Sequence, residues 1–172
     1  MPFDPALPCP CTSGAAYGQC CGPYHKGVRE PPDAALLMRS RYCAFCVGDT
    51  AWIWKTLHSS CPDKARPEAE VRRELERACK RFKYRGLWIL DHAAEGDKAK
   101  VLFQVKLWDT GKDRSFVERS KFVRDGEAWR YVDGDLVAVA QVKGDSKALR
   151  LSTFPIPETP PATAGAPATP AA

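Results

Sequence analysis

The chain has 172 residues, 44% of them hydrophobic and 27% charged, and its 26 basic and 21 acidic side chains leave a formal net charge of +5. That length supports one full hydrophobic core and a small appendage, not two ordinary domains. No apolar run approaches the ~20 residues that span a bilayer, and the mild positive charge permits an acidic partner without requiring one.

The opening stretch, MPFDPALPCPC, carries neither a basic leader nor an apolar segment, so the expected compartment is the cytoplasm. There the eight cysteines read as metal ligands and buried thiols rather than as a disulfide framework. Four of them fall within CPCTSGAAYGQCCGPYH, residues 9–25. Cys9 with Cys11, and Cys20 with Cys21, make two close pairs, which is how a short loop offers four donors to a tetrahedral zinc ion. Gly14 and Gly18 lie between the pairs and Gly22 follows them, as suits a tight knuckle with positive backbone angles. Residues 1–31 hold too few large apolar groups to fold on burial alone. One structural zinc would supply the difference, on the order of 10–16 kcal/mol in apparent terms. Two disulfides or four free thiols are the alternative, and His25 in place of Cys21 as fourth ligand is another. A four-thiolate shell is closed to water and carries a local charge of about −2, with His25, Lys26 and Arg29 downstream to moderate it.

Asp33, after two prolines, predicts the cap of a helix that stops at Gly48. Its apolar residues surround it: Leu36, Leu37, Cys43, Ala44 and Val47 on one side, Met38, Tyr42, Phe45 and Cys46 on the other. Arg39 and Arg41 must therefore reach carboxylates or carbonyls at its edges. Cys43 and Cys46 have the spacing of a redox pair but lie mid-helix, far from the dipole that would activate them, so they read as inert thiols. A second short helix is expected over TAWIWKTLH from the Asp49 cap, and a third from Pro67 to Phe82 with its stripe at Val71, Leu75, Ala78, Cys79 and Phe82.

After Gly86 the period changes to two. LWILDH, KAKVLFQVKLWD, RSFVERSKFVRD and AWRYVD predict antiparallel strands, separated by AAEGD, TGK and DGE. LVAVAQV, at 136–142, is expected to add one more. The last eighteen residues contain six prolines, six alanines and one charge, and predict a disordered tail over 155–172. The sum is an α+β protein: a small N-terminal zinc knuckle, residues 1–31, and a domain, 32–154, of three helices that cover the one apolar face of an antiparallel sheet.

Two further constellations carry chemistry. Alternation in SFVERSKFV puts Phe116, Glu118, Ser120 and Phe122 on one face, which carries Glu118 inward. His58, Arg39 or Arg41 could partner it, with Trp54, Trp88, Trp129 and Tyr131 as walls, giving either an acid and an imidazole for proton transfer or a structural ion pair. Residues 63–85 carry nine Lys or Arg against five acids, which reads as a solvated face or as a surface for RNA, ribosome or an acidic protein. Only Phe82 and Tyr84 interleave, so sequence-specific nucleic-acid reading is not expected.

The pattern Cys9-x-Cys11-x8-Cys20-Cys21, with Ser13-Gly14 and Tyr17 between, resembles the SEC-C motif, the zinc module at the C-terminus of the translocase ATPase SecA, where the last ligand is often histidine. CCGPYHKG, LMRSRYCAF and FVERSKFVRDGEAWRYVDG extend the resemblance to the YchJ-type family of bacterial SEC-C proteins, over residues 9 to about 134. The resemblance implies a middle domain similar to nuclear transport factor two, cone-shaped, with its three helices leaning over a curved antiparallel sheet and the zinc knuckle packed on it, and, by similarity to SEC-C in the translocase, contacts with proteins. It departs at Cys43 and Cys46, where the family usually has serine and a valine or leucine type, and it does not reach the C-terminal segment. The expected function is a protein-interaction or adaptor module whose partner is a protein or ribonucleoprotein. The alternative is a small-molecule enzyme or ligand carrier built on Glu118 and His58.

Overall fold

The computed structural model of the chain describes residues 3–156. Its first helix, α1 (Gly22–His25), is a single turn with Pro23 at its start. Helix α2 (Ala34–Val47) is capped by the Asp33 carboxylate, which accepts from the Leu36 N–H at 2.7 Å, and ends at Gly48 with a φ of 79°. Helix α3 (Thr50–Lys55) is capped in the same way by Asp49. It is shorter than the expected TAWIWKTLH because Thr56 turns its hydroxyl back to the Trp52 carbonyl, 2.8 Å away. The backbone then leaves the helix to pair with Tyr131 through the Thr56 carbonyl and the His58 N–H. Helix α4 (Glu68–Arg81) follows Pro67 and buries Val71, Leu75 and Ala78, the expected stripe.

Five strands follow: β1 (Lys83–Glu95), β2 (Lys98–Asp109), the two-residue β3 (Lys112–Asp113), β4 (Phe116–Asp125) and β5 (Ala128–Ala138). They form one antiparallel sheet in the order β1-β2-β4-β5, with β3 paired to β2. Irregularities at Tyr84/Gly86, Ile89/Asp91 and Lys121/Phe122 bend the strands. On the inner face Val101, Phe103, Val105, Phe116 and Phe122 meet α2, α3 and α4 in a single core. The same core takes in Cys9, Cys11, Tyr17 and Cys21, so the N-terminal knuckle is packed against the helices. Helix α2 is enclosed as its sequence demands, with Leu37, Cys43 and Ala44 fully buried.

The expected last strand changes. The segment 136–142 is not a separate strand: Leu136–Ala138 finish β5, and Val139–Gln141 form a 3₁₀ turn. Gly134, which looks like a break before them, lies inside β5, where a Cβ would collide with the Glu118 carboxylate. The sheet also has an apolar strip on its outer face. Leu102 and Val117 are fully buried there under Phe154, with Leu149 and Leu151 beside them. Ser146 donates to the Gln104 side chain at 2.8 Å, and the Leu151 N–H to Asp91 at 2.9 Å, so residues 139–154 lie across the sheet as a strap. Of the tail expected over 155–172, everything after Ile156 lies outside the described residues. No helix among the described residues is long and apolar enough to cross a membrane.

Candidate metal centre

The knuckle is a small hairpin followed by a turn of helix. Pro8 bridges to Ala16, and the Cys9 N–H donates to the Ala15 carbonyl at 2.8 Å. Gly14 takes the positive φ expected of it, 85°. Gly18 and Gly22 do not; a Cβ on either would come within 2.8 Å of Pro5 or of the Tyr17 carbonyl, so they are there for space. Thr12, a β-branched residue, holds a φ of 61°, and its hydroxyl is 2.7 Å from the Leu87 carbonyl of β1.

This folding brings the sulfurs of Cys9, Cys11, Cys20 and Cys21 within 4.8 Å of one another. Cys11 and Cys20 are 3.5 Å apart, Cys20 and Cys21 3.9 Å. Zn–S bonds of about 2.3 Å in a tetrahedron require sulfur separations of about 3.8 Å, so the set fits a four-thiolate metal site. All eight cysteines are free in this structure, and the cluster's sulfurs stand well beyond the ~2.05 Å of a disulfide bond. Contacts from Cys11, then Cys21 and Cys43, hold the Cys9 thiol far below the ordinary range, while Cys11, Cys43 and Cys9 push the Cys21 thiol far above it. Burial pushes Cys20 up to about 11.

His25 does not join the set. Its Nε2 is 2.9 Å from the Ser40 carbonyl, which can only accept, so Nε2 carries the proton and Nδ1 accepts from the Tyr17 hydroxyl at 2.9 Å. Burial lowers its pKa and favours the neutral ring. Neither nitrogen is left for a metal. The residue is instead a dowel between knuckle and α2, with Trp52 donating to the Ser40 hydroxyl behind it at 3.1 Å. The cation brought to the cysteine loop is Arg39 of α2, which donates to the Cys11 carbonyl at 2.9 Å, whereas Arg29 stacks on Tyr24. At the far edge Glu30 meets Arg130 at 3.0 Å and Lys55 at 3.5 Å.

These features were set against known proteins. Residues 33–134 match the description "YchJ, middle NTF2-like domain". A UPF0225 protein of Cupriavidus pinatubonensis is 38% identical over 141 residues, covering 77% of this chain and 91% of that one. The chain belongs to the YchJ family. The solution structure of a SEC-C motif containing protein from Rhodopseudomonas palustris superposes on this family member with a TM-score of 0.66 at 26% identity, covering 76% of this chain and 99% of that one. A crystal structure of a SEC-C motif containing protein from Psychrobacter arcticus has the same fold, with a TM-score of 0.62 at 24% identity, over 75% and 82%.

The second candidate group in this YchJ-family chain is assembled differently from expectation. Glu118 lies opposite Phe103 and points inward, but its Oε1 accepts from Ser120 at 2.6 Å and from Tyr131 at 3.2 Å. His58 bonds to Ser60 at 2.7 Å, and no hydrogen bond among the described residues joins it to Glu118. Of the aromatic walls only Tyr131 reaches the carboxylate; Trp88 lies under Lys147 and Trp54 under Lys64. Arg41 is buried, donates to the Ile53 carbonyl at 2.8 Å and to Thr56 at 2.6 Å, and lies over the Tyr131 ring. This is a polar network satisfied from within.

Burial raises the Glu118 carboxyl above the usual glutamate range, against the opposing pull of Ser120, Tyr131 and Arg41. A carboxyl raised in the folded state binds its proton more tightly there than in the unfolded chain, so its ionisation subtracts stability as pH rises through that window. Glu118→Gln removes the ionisation. Thermal melts should show the variant gaining on the wild type as pH rises above the usual glutamate range; a constant difference would refute the raised carboxyl.

Proposed function

We propose that Cys9, Cys11, Cys20 and Cys21 hold one structural zinc ion and that the chain is an adaptor whose partner is an acidic protein or ribonucleoprotein. Four sulfurs of this spacing complete a tetrahedral shell and leave no position for water or substrate, which supports a scaffolding role for the metal. Glu118 and His58 are bonded to different neighbours, which favours the adaptor over a proton-transfer pair built on these two residues.

The observation that carries the adaptor reading is the distribution of charge along α4 and the start of β1. Arg66 engages Glu70 and Glu74, Arg72 engages Glu68, and Arg81 engages Asp109. Arg73, Arg77, Lys80, Lys83 and Arg85 are all exposed, and none has an acidic partner among the described residues. A row of unmatched cations attracts an acidic surface and steers its approach. Phe82 is buried and Tyr84 half-buried, so base stacking has no platform here.

The test is capture of partners on immobilised protein, wild type against Arg73→Glu/Arg77→Glu/Lys80→Glu and against Glu118→Gln. Capture by the wild type should fall as salt rises, be lost in the triple variant, and persist in Glu118→Gln. Partners retained by the triple variant at the wild-type level would overturn the reading.

A further inference from the structure

A fifth sulfur touches the cluster. Cys43, in the third turn of α2, is fully buried, and its Sγ lies 3.8 Å from that of Cys9, with Cys21 as its other sulfur neighbour. It falls outside the set in which every sulfur lies within 4.8 Å of every other. Cys43 completes a face of α2 turned to the knuckle. Arg39 reaches the Cys11 carbonyl, the Ser40 carbonyl takes His25, and Cys43 meets Cys9.

Resting on the proposed metal at the four cysteines, we propose that Cys43 is a positioning residue that donates its S–H to the metal-bound sulfur of Cys9. The direction of the bond follows from the metal: a coordinated Cys9 is a thiolate and only accepts, so the proton is on Cys43. A donor to a charged acceptor makes a bond roughly twice as strong as a neutral pair. It also draws off part of the surplus charge of about −2 that four thiolates place around a dication. The bond joins a ligand in the knuckle to a helix in the core, so loading the metal tightens the knuckle on α2. Partners that hold ligands from behind are worth 10–100-fold in metal affinity in well-studied sites.

The experiment compares the full-length wild type with Cys43→Ser, which keeps a donor, and Cys43→Val, which fills the space without one. Zinc affinity is read by competition with a chromophoric chelator, and the cobalt(II)-substituted proteins are read by absorption. The valine variant is expected to lose roughly 10–100-fold in zinc affinity. Its thiolate-to-cobalt charge-transfer band should move to lower energy, because an unbonded thiolate is the better electron donor. Its ligand-field bands should keep four-sulfur positions and intensity. Serine should restore most of the affinity and the band energy. A packing role alone would leave the charge-transfer energy in place. Wild-type affinity and band energy in the valine variant would overturn the proposal, as would a three-sulfur ligand-field spectrum, which would make Cys43 a ligand. Should the valine variant not fold, alanine against serine carries the same contrast. A wild type that takes up no metal would instead defeat the metal reading on which the proposal stands.

Discussion

Chelation, or Cys21→Ser, is expected to unfold the first thirty residues while the sheet stays intact. The knuckle buries little of its own, and what metal contributes to such modules is on the order of 10 kcal/mol, more than its few backbone bonds can replace. Hydrogen exchange should report the loss amide by amide. The N–H groups of Cys9, Tyr17 and His25, bonded to Ala15, Leu7 and Cys21, should exchange quickly once the metal is gone. Those of β2 and β4 should remain protected. Elemental analysis of the untreated protein should return one zinc per chain. Equal protection with and without chelator would show that the cysteines fold the loop unaided. The melting temperature of the whole chain should also fall, since Leu37, Cys43 and Ala44 of α2 share a core with the knuckle.

Arg41→Ala should be the most damaging single change in the cone. The guanidinium is buried, bonded to Ile53 and Thr56, and stacked on Tyr131, whose hydroxyl serves Glu118. Its removal takes a donor from the Ile53 carbonyl and the Thr56 hydroxyl, withdraws a favourable positive charge from the Glu118 carboxylate, and opens a void. Breaking a buried charged network by deleting one member costs about 3–5 kcal/mol. For a chain of this size that lowers the melting temperature by about 6–20 °C. Adding Glu118→Gln should recover part of the loss, because the abandoned carboxylate no longer has to be charged. A fall below about 1 kcal/mol in urea melts would mean that Arg41 is replaceable packing.

What could be read from the residues alone depended on whether the signal was local. Asp33 and Gly48 mark the ends of α2 because a cap and a left-handed stop act within a turn of themselves. The two cysteine pairs were legible for the same reason, since ligand spacing is a local property of a knuckle. Cys43 was not: it reaches Cys9 across 34 residues of sequence, and nothing in YCAF advertises that contact. Gly134 lies inside β5, where its absent side chain makes room for Glu118, a long-range fit that the local pattern of AWRYVD does not carry. The pairing of Glu118 with Ser120 and Tyr131 rather than His58 depends on which way residue 58 turns after α3 ends. The strap over 139–154 was missed because Leu102 and Val117 alternate with Lys100, Gln104, Arg119 and Lys121, and so look like stray apolar residues on a wet face.

The anchoring of the knuckle also bears on how the chain comes off the ribosome. Thr12 is tied to Leu87 and Glu30 to Arg130, separations of 75 and 100 residues. The cysteine loop precedes the strands it is tied to, so its berth is complete only once β5 has been synthesised. Closing such long spans is slow, and until they close the cysteine loop is held to the rest of the chain by its contacts with α2.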